Sequence, residues 1–415
     1  MPSENFTLAG HIIETQTLTR VLDEILEHGA KYEILELDIG VRHDDTSSAR
    51  IRVTGDSEDV ITTLIARLES HGANPDSVED ATLTTAEADG SFPPGFYSST
   101  NLETEIRIDG QWVRVTHPEM DCGIVADGST ARTIPMSEVR AGMSIVMRGL
   151  GIRVLPIEED AAGSKQAFEF MSSDVSSEKP KALLVEQVAG QMRAVKASGK
   201  RILWVAGPAC VHTGSAPDLC ALIKAGFVDA LFAGNGVAAH DIESNMFGTS
   251  LGVYLNEGTA AEHGHEHHIR AINELRRHGS FKAAIDAGVF SEGIVYHLVT
   301  QGCDYLFGGS VRDDGPLPEV VTEMLDVQTR LREIIWGESG DDLIGYCIVV
   351  GTMLHGIATG NCLPASVPLV CVDINQATVT KLMDRGSWQS LGIITDVGLF
   401  IRELAHRLAP DEVTE

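Results

Sequence analysis

The sequence predicts an α/β protein in three parts: an N-terminal module at 1–90, a β-rich middle segment with a linker at 91–175, and a doubly wound parallel sheet at 176–415. Three observations predict this class. Strand and helix patterns alternate in the first part, short strands separated by turn residues fill the second, and repeated strand–helix pairs with glycine-rich loops fill the third. A chain of 415 residues is long enough for two or three domains.

The N-terminal module has the element order βαββαβ. The first helix carries apolar residues at helical spacing and ends at Gly29, and the following strands alternate apolar and charged residues. The elements are predicted at Thr7–Glu14, Thr17–His28, Tyr32–Ile39, Ala49–Thr54, residues 56–68 and Ala81–Ala88. This order predicts a ferredoxin-like sandwich, a fold that assigns no function by itself.

The middle segment reads as short strands. Glu105–Ile108 and Trp112–Thr116 are predicted to form a hairpin across Asp109 and Gly110, a strong turn dipeptide. Residues 158–180, rich in Glu, Ser, Lys and Pro, are predicted to be the linker.

The last part alternates helix and strand as a parallel sheet requires. Strands are predicted at Arg201–Ala206, Ala230–Phe232, Tyr305–Phe307, Leu343–Val350, Val367–Val372 and Leu391–Ile394, and helices at Ala182–Ser198, Ala216–Ala225, Ala261–His278, Pro318–Ile335, Ala377–Met383 and Leu399–Leu408. A polar or glycine-rich loop follows each strand. These loops are expected along the carboxyl edge of the sheet, where ligands bind in such folds.

The stretch Asp342–Asn375 has the pattern of a mononucleotide-binding unit. An apolar strand ends at Gly351, a short helix follows, and a second strand ends at Asp373. The 22 positions from Gly351 to Asp373 are close to the spacing of about 20 expected for an acid that binds a ribose hydroxyl. The glycines match neither the dinucleotide fingerprint nor a P-loop, so a βαβ unit with incidental glycines is an equally good interpretation.

Two further loops carry candidate chemistry. In Ala233–Glu243, glycines and Asn235 precede His240 and Asp241, which offer acid/base groups; the alternative is a tight turn with a helix cap. In Gly308–Pro316, backbone amides could hold a phosphate while Asp313 or Asp314 accepts from a ribose, and a solvated surface turn explains it equally well. Thr213 and Ser215 are weaker candidates for the same crevice.

No metal site is predicted. His263, His265, His267 and His268 lie close together in the chain, but a solvated helix start interrupted by Gly264 is the favoured interpretation. The seven cysteines show no ligand spacing and fit buried thiols in a reducing compartment.

The charge balance excludes some partners. With 31 basic and 60 acidic residues the net charge is −29, which argues against nucleic acid and anionic membranes. The N-terminus lacks the pattern of a signal peptide, and no apolar run reaches the length of a membrane span. A cytoplasmic protein is expected.

The sequence resembles the archaeal-type ornithine cyclodeaminases over essentially its whole length. The resemblance is carried by PPGFYSSTN (93–101), MDCGIV (120–125), GPACVHTG (207–214), AGNGVAAHDIE (233–243), HEHHIRAIN (265–273), GGSVRDDGPLP (308–318) and VDINQ (372–376). The N-terminal part resembles the conserved module named after lysine-ketoglutarate reductase/saccharopine dehydrogenase, and the last part resembles the NAD-binding fold of deoxyhypusine synthase without its catalytic-lysine loop. The chain is also similar to the C-terminal half of cyanobacterial arginine dihydrolase/ornithine cyclodeaminase fusions but lacks their guanidine-hydrolysing domain.

The resemblance implies conversion of L-ornithine to L-proline and ammonia with bound NAD, in a homo-oligomer of two or four chains. Hydride would leave Cα, the δ-amine would close a five-membered ring, and the same hydride would return. The site residues it implies are Asn235, Gly236, Asp314, Thr352, Met353, Leu354, His355, Asp373, Asp396 and Val397 for the cofactor, with His240 and Asp241 for proton transfer and the substrate ammonium groups. An acid at 373 favours NAD over NADP because a 2′-phosphate would be repelled.

Two other functions fit the pattern. A net NAD-dependent amino-acid or saccharopine-type dehydrogenase would accumulate NADH. A non-catalytic amino-acid sensor built on the N-terminal module would bind ligand without turnover.

Overall fold

The computed structural model describes residues 1–415 except 14–15, 42–44, 70, 77–78, 156–180, 256, 263, 312–314, 338–339, 341, 385–389 and 414–415. The chain divides into two compact units, Met1–Ser172 with Asn361–Ser366, and Ser173–Gly360 with Val367–Glu415.

The first unit begins with a four-stranded antiparallel sheet and two helices in the order βαββαβ. Its elements are β1 (Ser3–Gly10), α1 (Thr17–Glu27), β2 (Lys31–Asp38), β3 (Ser47–Thr54), α2 (Glu58–Glu69) and β4 (Asn74–Pro75), and the strands lie in the order β2-β3-β1-β4. Alternate residues of β3, such as Ile51 and Val53, are fully buried and form the core with Val21 and Ile25 of α1.

The second sheet of this unit is mixed and has seven strands. They are β5 (Leu83–Thr85), β6 (Thr104–Ile108), β7 (Gln111–Thr116), β8 (Gly123–Asp127), β9 (Thr130–Ile134), β10 (Ser144–Val146) and β11 (Ile152–Val154), in the order β11-β6-β7-β9-β8-β10-β5. The hairpin predicted between β6 and β7 is confirmed. Asp109 and Gly110 have φ of 48° and 75°, the left-handed pair that a two-residue hairpin turn requires.

The predicted last strand of the N-terminal module is wrong. Residues 83–85 form β5, which pairs with β10 in the mixed sheet, whereas the fourth strand of the first sheet is only Asn74–Pro75. The Asn74 side chain explains why so short a strand suffices. Its amide donates to the carbonyl of Val154 at 2.9 Å and accepts from the Val154 N–H at 2.8 Å, joining the end of the module to β11.

The second unit contains a six-stranded parallel sheet. Its strands are β12 (Ile202–Ala206), β13 (Ala230–Gly234), β16 (Asp304–Gly308), β17 (Tyr346–Val350), β18 (Leu369–Asp373) and β19 (Ser390–Ile394), and a small antiparallel pair, β14 (Thr249–Ser250) and β15 (Val253–Tyr254), lies outside it. The helices are α3 (Lys181–Ala197), α4 (Ala209–His212), α5 (Ala216–Lys224), α6 (Asn235–Phe247), α7 (His267–His278), α8 (Phe281–Asp286), α9 (Ile294–Gln301), α10 (Met324–Trp336), α11 (Leu354–Cys362), α12 (Gln376–Asp384) and α13 (Val397–Leu408).

The strand order is β16-β13-β12-β17-β18-β19. Numbered along the chain this is 3-2-1-4-5-6, the order of dinucleotide-binding sheets. The predicted parallel sheet is therefore confirmed, and so is the burial of its strands on both faces, since every residue of β12 and β17 is buried.

Two helices start later than the sequence predicts. The chain from Leu317 to Glu323 follows the edge of β16 instead of forming helix, because the Val321 N–H donates to the Phe307 carbonyl and the Gly309 N–H donates to the Val321 carbonyl. Helix α10 consequently begins at Met324. Helix α7 begins at His267, after a short 3-10 turn at Gly264–Glu266.

Glu69 at the end of α2 is an exception to the apolar core of the first unit. It is completely buried, and neither carboxylate oxygen has a hydrogen-bond partner among the described residues. Burial raises the pKa of Glu69 well above its usual range. Burial and then the neighbouring Glu69 also raise the pKa of Tyr97. Glu69 therefore costs stability wherever the unfolded carboxyl would be ionised.

We expect Glu69→Met to stabilise the protein. Because the folded pKa lies above the unfolded one, stability falls as pH rises above the unfolded value of about 4.3, so the variant gains most at neutral and alkaline pH. The expected gain in free energy of unfolding is about 1–3 kcal/mol, the cost of one unsatisfied buried group. Urea unfolding at acid and neutral pH measures it. Glu27→Met, at an exposed position of α1, is the matched control and should change little; an equal gain in both variants contradicts the explanation.

Candidate active site

The carboxyl edge of the parallel sheet has one topological switch point. From β12 the chain moves outward to β13 and β16, and then returns to β17 on the other side of β12 before continuing to β18 and β19. The loops after β12 and β17 therefore leave the sheet in opposite directions and open a crevice between them. Ligands of open α/β sheets bind at such a point.

Two glycines bring these loops into backbone contact. A Cβ on Gly207 would lie 1.9 Å from the carbonyl oxygen of Gly351, so no other residue fits at 207. The Gly207 N–H donates to the Val350 carbonyl at 2.8 Å, and Gly351 has a φ of 61°, a left-handed conformation that favours glycine. The crevice thus begins as a cleft bounded by backbone rather than by side chains.

The β17–α11–β18 segment places several predicted cofactor residues along this cleft. Thr352 Oγ1 lies 3.3 Å from Nδ1 of His355 at the start of α11, and Met353 is half-buried beside them. Asp373 ends β18, half-buried, and its Oδ1 accepts from the Asn375 N–H at 2.7 Å. Leu354 is exposed. The acid therefore stands at the end of the strand next to the glycine turn, as the spacing predicts.

His355 extends this segment across the sheet. Its ring packs edge-on against Phe232 with centroids 4.8 Å apart, and a Cβ on Gly234 would lie 3.3 Å from its Cε1. Burial lowers the pKa of His355, which keeps the ring neutral at neutral pH. His355 therefore links the β17 loop to the carboxyl end of β13, immediately before Asn235.

Apolar side chains are exposed above β17, β18 and β19. Leu354, Ile374 and Leu399 are 74%, 74% and 48% exposed, and each follows one of three adjacent parallel strands. Such side chains at a ligand-binding edge provide an apolar surface for a flat ring. Asp396 is exposed and caps α13 by accepting from the Leu399 N–H, and Val397 is buried.

Asn235 and Gly236 open α6 at the end of β13. Asn235 is buried, and its Oδ1 accepts from the Leu317 N–H at 3.1 Å. This bond ties the loop after β16 to the start of α6. A Cβ on Gly236 would make only an ordinary 3.7 Å contact with Pro208, so this glycine is not sterically required.

His240 lies on the next turn of α6 and is paired with Glu243. The His240 Nδ1 is 2.8 Å from Oε2 of Glu243, a completely buried carboxylate. Glu243 also accepts from the Thr249 hydroxyl at 3.0 Å and from the Gly252 N–H at 3.0 Å. Burial raises the pKa of Glu243, but these donors outweigh it and lower the pKa overall. Because the carboxylate is ionised, Nδ1 of His240 carries the proton and Nε2 is the basic nitrogen.

Further imidazoles surround this pair. His212 at the end of α4 lies with its ring centroid 4.7 Å from that of His240, and its Nδ1 is 2.7 Å from the Ser250 hydroxyl. Burial and then His240 lower the pKa of His212. His268 has its ring centroid 6.3 Å from His240, and His267 is 2.8 Å from the Thr249 hydroxyl. The pattern EHGHEHH therefore contributes two imidazoles to this cluster.

Asp241, next to His240, faces the opposite way. It is 1% exposed, and its two oxygens accept from the N–H groups of Ile294 and Val295 at 2.9 and 2.8 Å. Burial raises the pKa of Asp241 to about 6, against the effect of these two donors. A Cβ on Gly293 would meet the carboxylate at 2.9 Å. Asp241 thus holds the start of α9, and both oxygens are already occupied.

The remaining predicted residues separate into two groups. Thr213 and Ser215 use their hydroxyls within their own turn, on the carbonyls of Ala209 and Cys210. Asp313 and Asp314 lie outside the described residues, as does His263. In the part of the chain that is described, no three His, Cys, Asp or Glu side chains are arranged to hold a metal, and no helix is long and apolar enough to span a membrane.

Glu243 and His212 were missed in the sequence, and His268 was considered only as a metal ligand. The position of Glu243, three residues after His240, places it on the same face of a helix and was a usable signal. His212 comes close only through the parallel pairing of β12 and β13, which no local spacing reveals.

Comparison with known proteins identifies the family. An ornithine cyclodeaminase of Methanothermobacter thermautotrophicus is 45% identical over 410 residues, covering 98% of both chains, and one of Methanopyrus kandleri is 43% identical over 97% of this chain and 96% of its own. The chain belongs to the ornithine cyclodeaminase family.

The family models divide the chain in a related way. Residues 186–404 match the C-terminal Rossmann-fold domain of ArgZ-like arginine dihydrolases, residues 103–185 match the first C-terminal region of the same proteins, and residues 3–102 match the conserved region of LOR/SDH bifunctional enzymes. The crystal structure of apo ArgZ superposes with a TM-score of 0.83 at 35% identity, over 98% of this chain and 58% of that chain. This cyclodeaminase-family chain therefore spans little more than half of ArgZ.

A second relative of known structure was crystallised with ligands. AgrE has been crystallised as a ternary complex with ornithine and NAD⁺, and it matches 98% of this chain at 37% identity with a TM-score of 0.52. The bifunctional AgrE of Nostoc is 39% identical over 97% of this chain and 57% of its own length.

The glycine contact at the switch point can be tested by a substitution that adds one methyl group. We expect Gly207→Ala to abolish NAD binding or folding, because its Cβ would overlap the Gly351 carbonyl. Gly190→Ala is the matched control, since that helical glycine has open space around it and the change should stabilise α3 by about 0.5–1 kcal/mol. Thermal unfolding and NAD titration by fluorescence measure both effects. Normal NAD affinity in Gly207→Ala contradicts the assignment of the crevice.

Proposed function

We propose that this chain converts L-ornithine to L-proline and ammonia, with NAD bound along the carboxyl edge of its parallel sheet. The observation that carries the proposal is the position of the His240–Glu243 pair. It lies on the helix that follows β13, at the same edge as the glycine cleft between β12 and β17. Acid/base groups and a dinucleotide cleft thus share one edge, as a redox-neutral cyclisation requires.

The residues of the cleft fit NAD. The contact of Gly207 with Gly351 leaves backbone exposed at the start of α11, Asp373 stands one strand away to accept from ribose hydroxyls, and Ile374 offers an apolar surface for adenine. The proposed cofactor residues remain Asn235, Gly236, Asp314, Thr352, Met353, Leu354, His355, Asp373, Asp396 and Val397. Bound NAD supplies a hydride acceptor for Cα of ornithine that can return the hydride after ring closure.

His240 is the proposed base. Two ammonium groups of ornithine must lose protons, the α-group before oxidation at Cα and the δ-group before it attacks Cα. Glu243 holds the Nδ1–H of His240, so the opposite nitrogen is available to take a proton. The buried carboxylate also stabilises the imidazolium that results, while Thr249 and the loop amides keep Glu243 in place.

His212 is the proposed second proton acceptor. Two imidazoles with centroids 4.7 Å apart resist simultaneous protonation, which is consistent with the lowered pKa of His212. We propose that this pair collects the protons of both substrate nitrogens and returns them, one to the departing ammonia and one to the ring nitrogen of proline.

Asp241 was the second acid/base candidate, and we propose a positioning part for it instead. It is buried and each of its oxygens accepts from the backbone of α9, so substrate contact would require that helix start to open. Since Asp241 is adjacent to His240 on α6, its bonds fix the rotation of the helix that presents the imidazole.

We also propose the fold type of each part, the domain boundaries, the cellular location and the oligomeric state. The strand order β2-β3-β1-β4 supports a ferredoxin-like module, and the 3-2-1-4-5-6 order is compatible with the deoxyhypusine synthase fold. We keep a division at 175, close to the boundary between the two compact units, whereas a division at 90 would separate β5 from the mixed sheet to which it belongs. Seven free cysteines support a reducing, cytoplasmic location. We also propose a homo-oligomer of two or four chains.

The decisive experiment follows three products together. Purified protein is incubated with L-ornithine, with and without added NAD, and proline, ammonia and NADH are measured. We expect equal amounts of proline and ammonia and no accumulating NADH. NADH rising with product indicates a net dehydrogenase, and binding of ornithine or NAD without turnover indicates a sensor.

Variants of the imidazole pair separate chemistry from folding. We expect His240→Gln to lower kcat by about 10²–10⁴-fold, the usual loss of a general base, and Glu243→Gln to lower it by at least about tenfold through loss of the Nδ1–H acceptor. NAD affinity should stay unchanged in both, because neither residue lies along the β17–β18 segment. Asp241→Asn is the comparison and should lower thermal stability more than kcat. If His240→Gln retains near-normal kcat, His240 is not the base.

A further inference from the structure

Strand β2 forms an open edge of the N-terminal sheet. The strand order is β2-β3-β1-β4, and among the described residues only β3 pairs with β2. All residues of β2 are exposed except Leu35, which is half-buried. An edge strand of eight residues offers a complete row of backbone donors and acceptors to another strand.

The apolar core of the module extends to this edge without cover. Across the sheet, Tyr32 lies opposite Val53 and Ile34 lies opposite Ile51, and opposed residues share one face. Val53 and Ile51 are completely buried, whereas Tyr32 and Ile34 are 38% and 39% exposed. Leu37, opposite buried Ala49, is 45% exposed. The apolar side chains on the core face are therefore buried in β3 and partly exposed to solvent in β2.

The usual protection of an open edge is weak here. Natural edges are blocked by lysine, proline or inward-pointing charges, but β2 has its only lysine at its first residue. Its two inner glutamates point to the other face, where each meets an arginine of β3: Glu33 with Arg52 at 3.0 Å and Glu36 with Arg50 at 3.5 Å. A register shift between Ile34 and Glu36 interrupts the strand without adding a charge to the apolar face.

We propose that β2 pairs with β2 of a second copy of this chain, joining two four-stranded sheets across a two-fold axis. The strand KYEILELD is self-complementary when two copies run antiparallel with all eight residues in register. Lys31 then faces Asp38 of the other copy at both ends, Tyr32 faces Leu37, and Ile34 faces Leu35. The apolar side chains meet on the face where the two cores are open.

The remaining charges are compatible with this register. Glu33 of one copy falls opposite Glu36 of the other. Glu33 is paired with Arg52, and Arg50 lies 3.5 Å from Glu36 while also bonding to Asp76 at 2.7 Å, so the row across the joined sheet is Arg-Glu-Glu-Arg. The Lys31–Asp38 pairs select the occupant, because a strand of unrelated sequence has no reason to place an acid and a base at these two ends. The inference does not depend on the catalytic function.

A zero-length cross-link provides a direct test of the register. Within one chain Lys31 and Asp38 are separated by seven residues of extended strand, about 23 Å, so an amide between them can form only between copies. A mixture of unlabelled and ¹⁵N-labelled protein is treated with a carbodiimide, and peptides are mapped by mass spectrometry. We expect a mixed-isotope Lys31–Asp38 peptide; its absence from covalent dimers overturns the register.

Mass in solution tests the interface itself. We expect Leu37→Lys to halve the mass measured by sedimentation velocity, since it places a charge on the apolar row. Met136→Lys is the matched control, because Met136 is a 53% exposed apolar residue that lies outside β2. This variant should leave the mass unchanged. A wild-type monomer, or a Leu37→Lys variant with wild-type mass, overturns the proposal, and a monomer that still captures other proteins points to a different partner.

Exchanging the charges of Lys31 and Asp38 tests the interface even if Leu37→Lys fails to fold. Lys31→Glu lies at the exposed end of the strand, and it should weaken association roughly tenfold by placing two like-charged pairs at the interface. The double variant Lys31→Glu/Asp38→Lys should restore association, because each exchanged residue again meets an opposite charge. If the double variant is no better than the single one, the antiparallel in-register pairing is wrong.

Discussion

The carboxyl edge of the parallel sheet depends on the contact between Gly207 and Gly351. Strands β12 and β17 are neighbours, and their following loops must separate in opposite directions while their backbones touch. A single Cβ at position 207 would close that gap. The first residue after each of these strands is a glycine, which has no side chain. Helices α4 and α11 can therefore begin close to the strands, and the backbone amides at the start of α11 remain near the cleft. Two features of the candidate site lie beside this contact: His355 reaches from the β17 loop to Phe232 of β13, and His212 follows Gly207 on α4.

Helix α6 then divides its residues between two tasks. Consecutive residues on a helix point about 100° apart, whereas residues three apart share a face. His240 and Glu243 consequently point together toward the imidazole cluster, and Asp241 points away to the start of α9. The two buried carboxylates differ in their partners, since Glu243 receives side-chain and loop donors that include an imidazole, whereas Asp241 receives only two helix amides. The same short sequence, HDIE, thus contains the proposed acid/base group, the carboxylate bonded to it and the carboxylate that holds the start of α9.

The sequence was informative where local pattern determines structure. Apolar runs that end in glycine predicted the buried strands β12, β13 and β17, and the Gly351–Asp373 spacing predicted a glycine turn and an acid on adjacent strands. It failed where contacts join distant segments. The strand at 83–85 has the pattern expected of the first module, but its partner β10 lies about sixty residues later, and Asn74 takes the place at the end of the first sheet through its bonds to Val154. His212 was missed for the same reason, as its neighbour His240 is reached only through the pairing of β12 with β13. Asp241 was predicted to take part in the chemistry together with His240, but sequence position says nothing about the direction of its side chain, which contacts the start of α9.

The paired imidazoles also fit the proton balance of a cyclisation better than a simple dehydrogenation. A net dehydrogenase releases its protons to solvent and needs one base with an open path to water. Ring closure with loss of ammonia instead requires protons to be removed from two nitrogens and then returned to the departing ammonia and to the ring nitrogen of proline. His240 is only 14% exposed in its side chain, and its carboxylate partner has no exposure. In the proposed mechanism a proton held there stays close to the substrate rather than being released, and the ring centroid of His212 lies 4.7 Å from that of His240. The limited exposure of this pair thus favours internal proton return, in parallel with the internal return of the hydride.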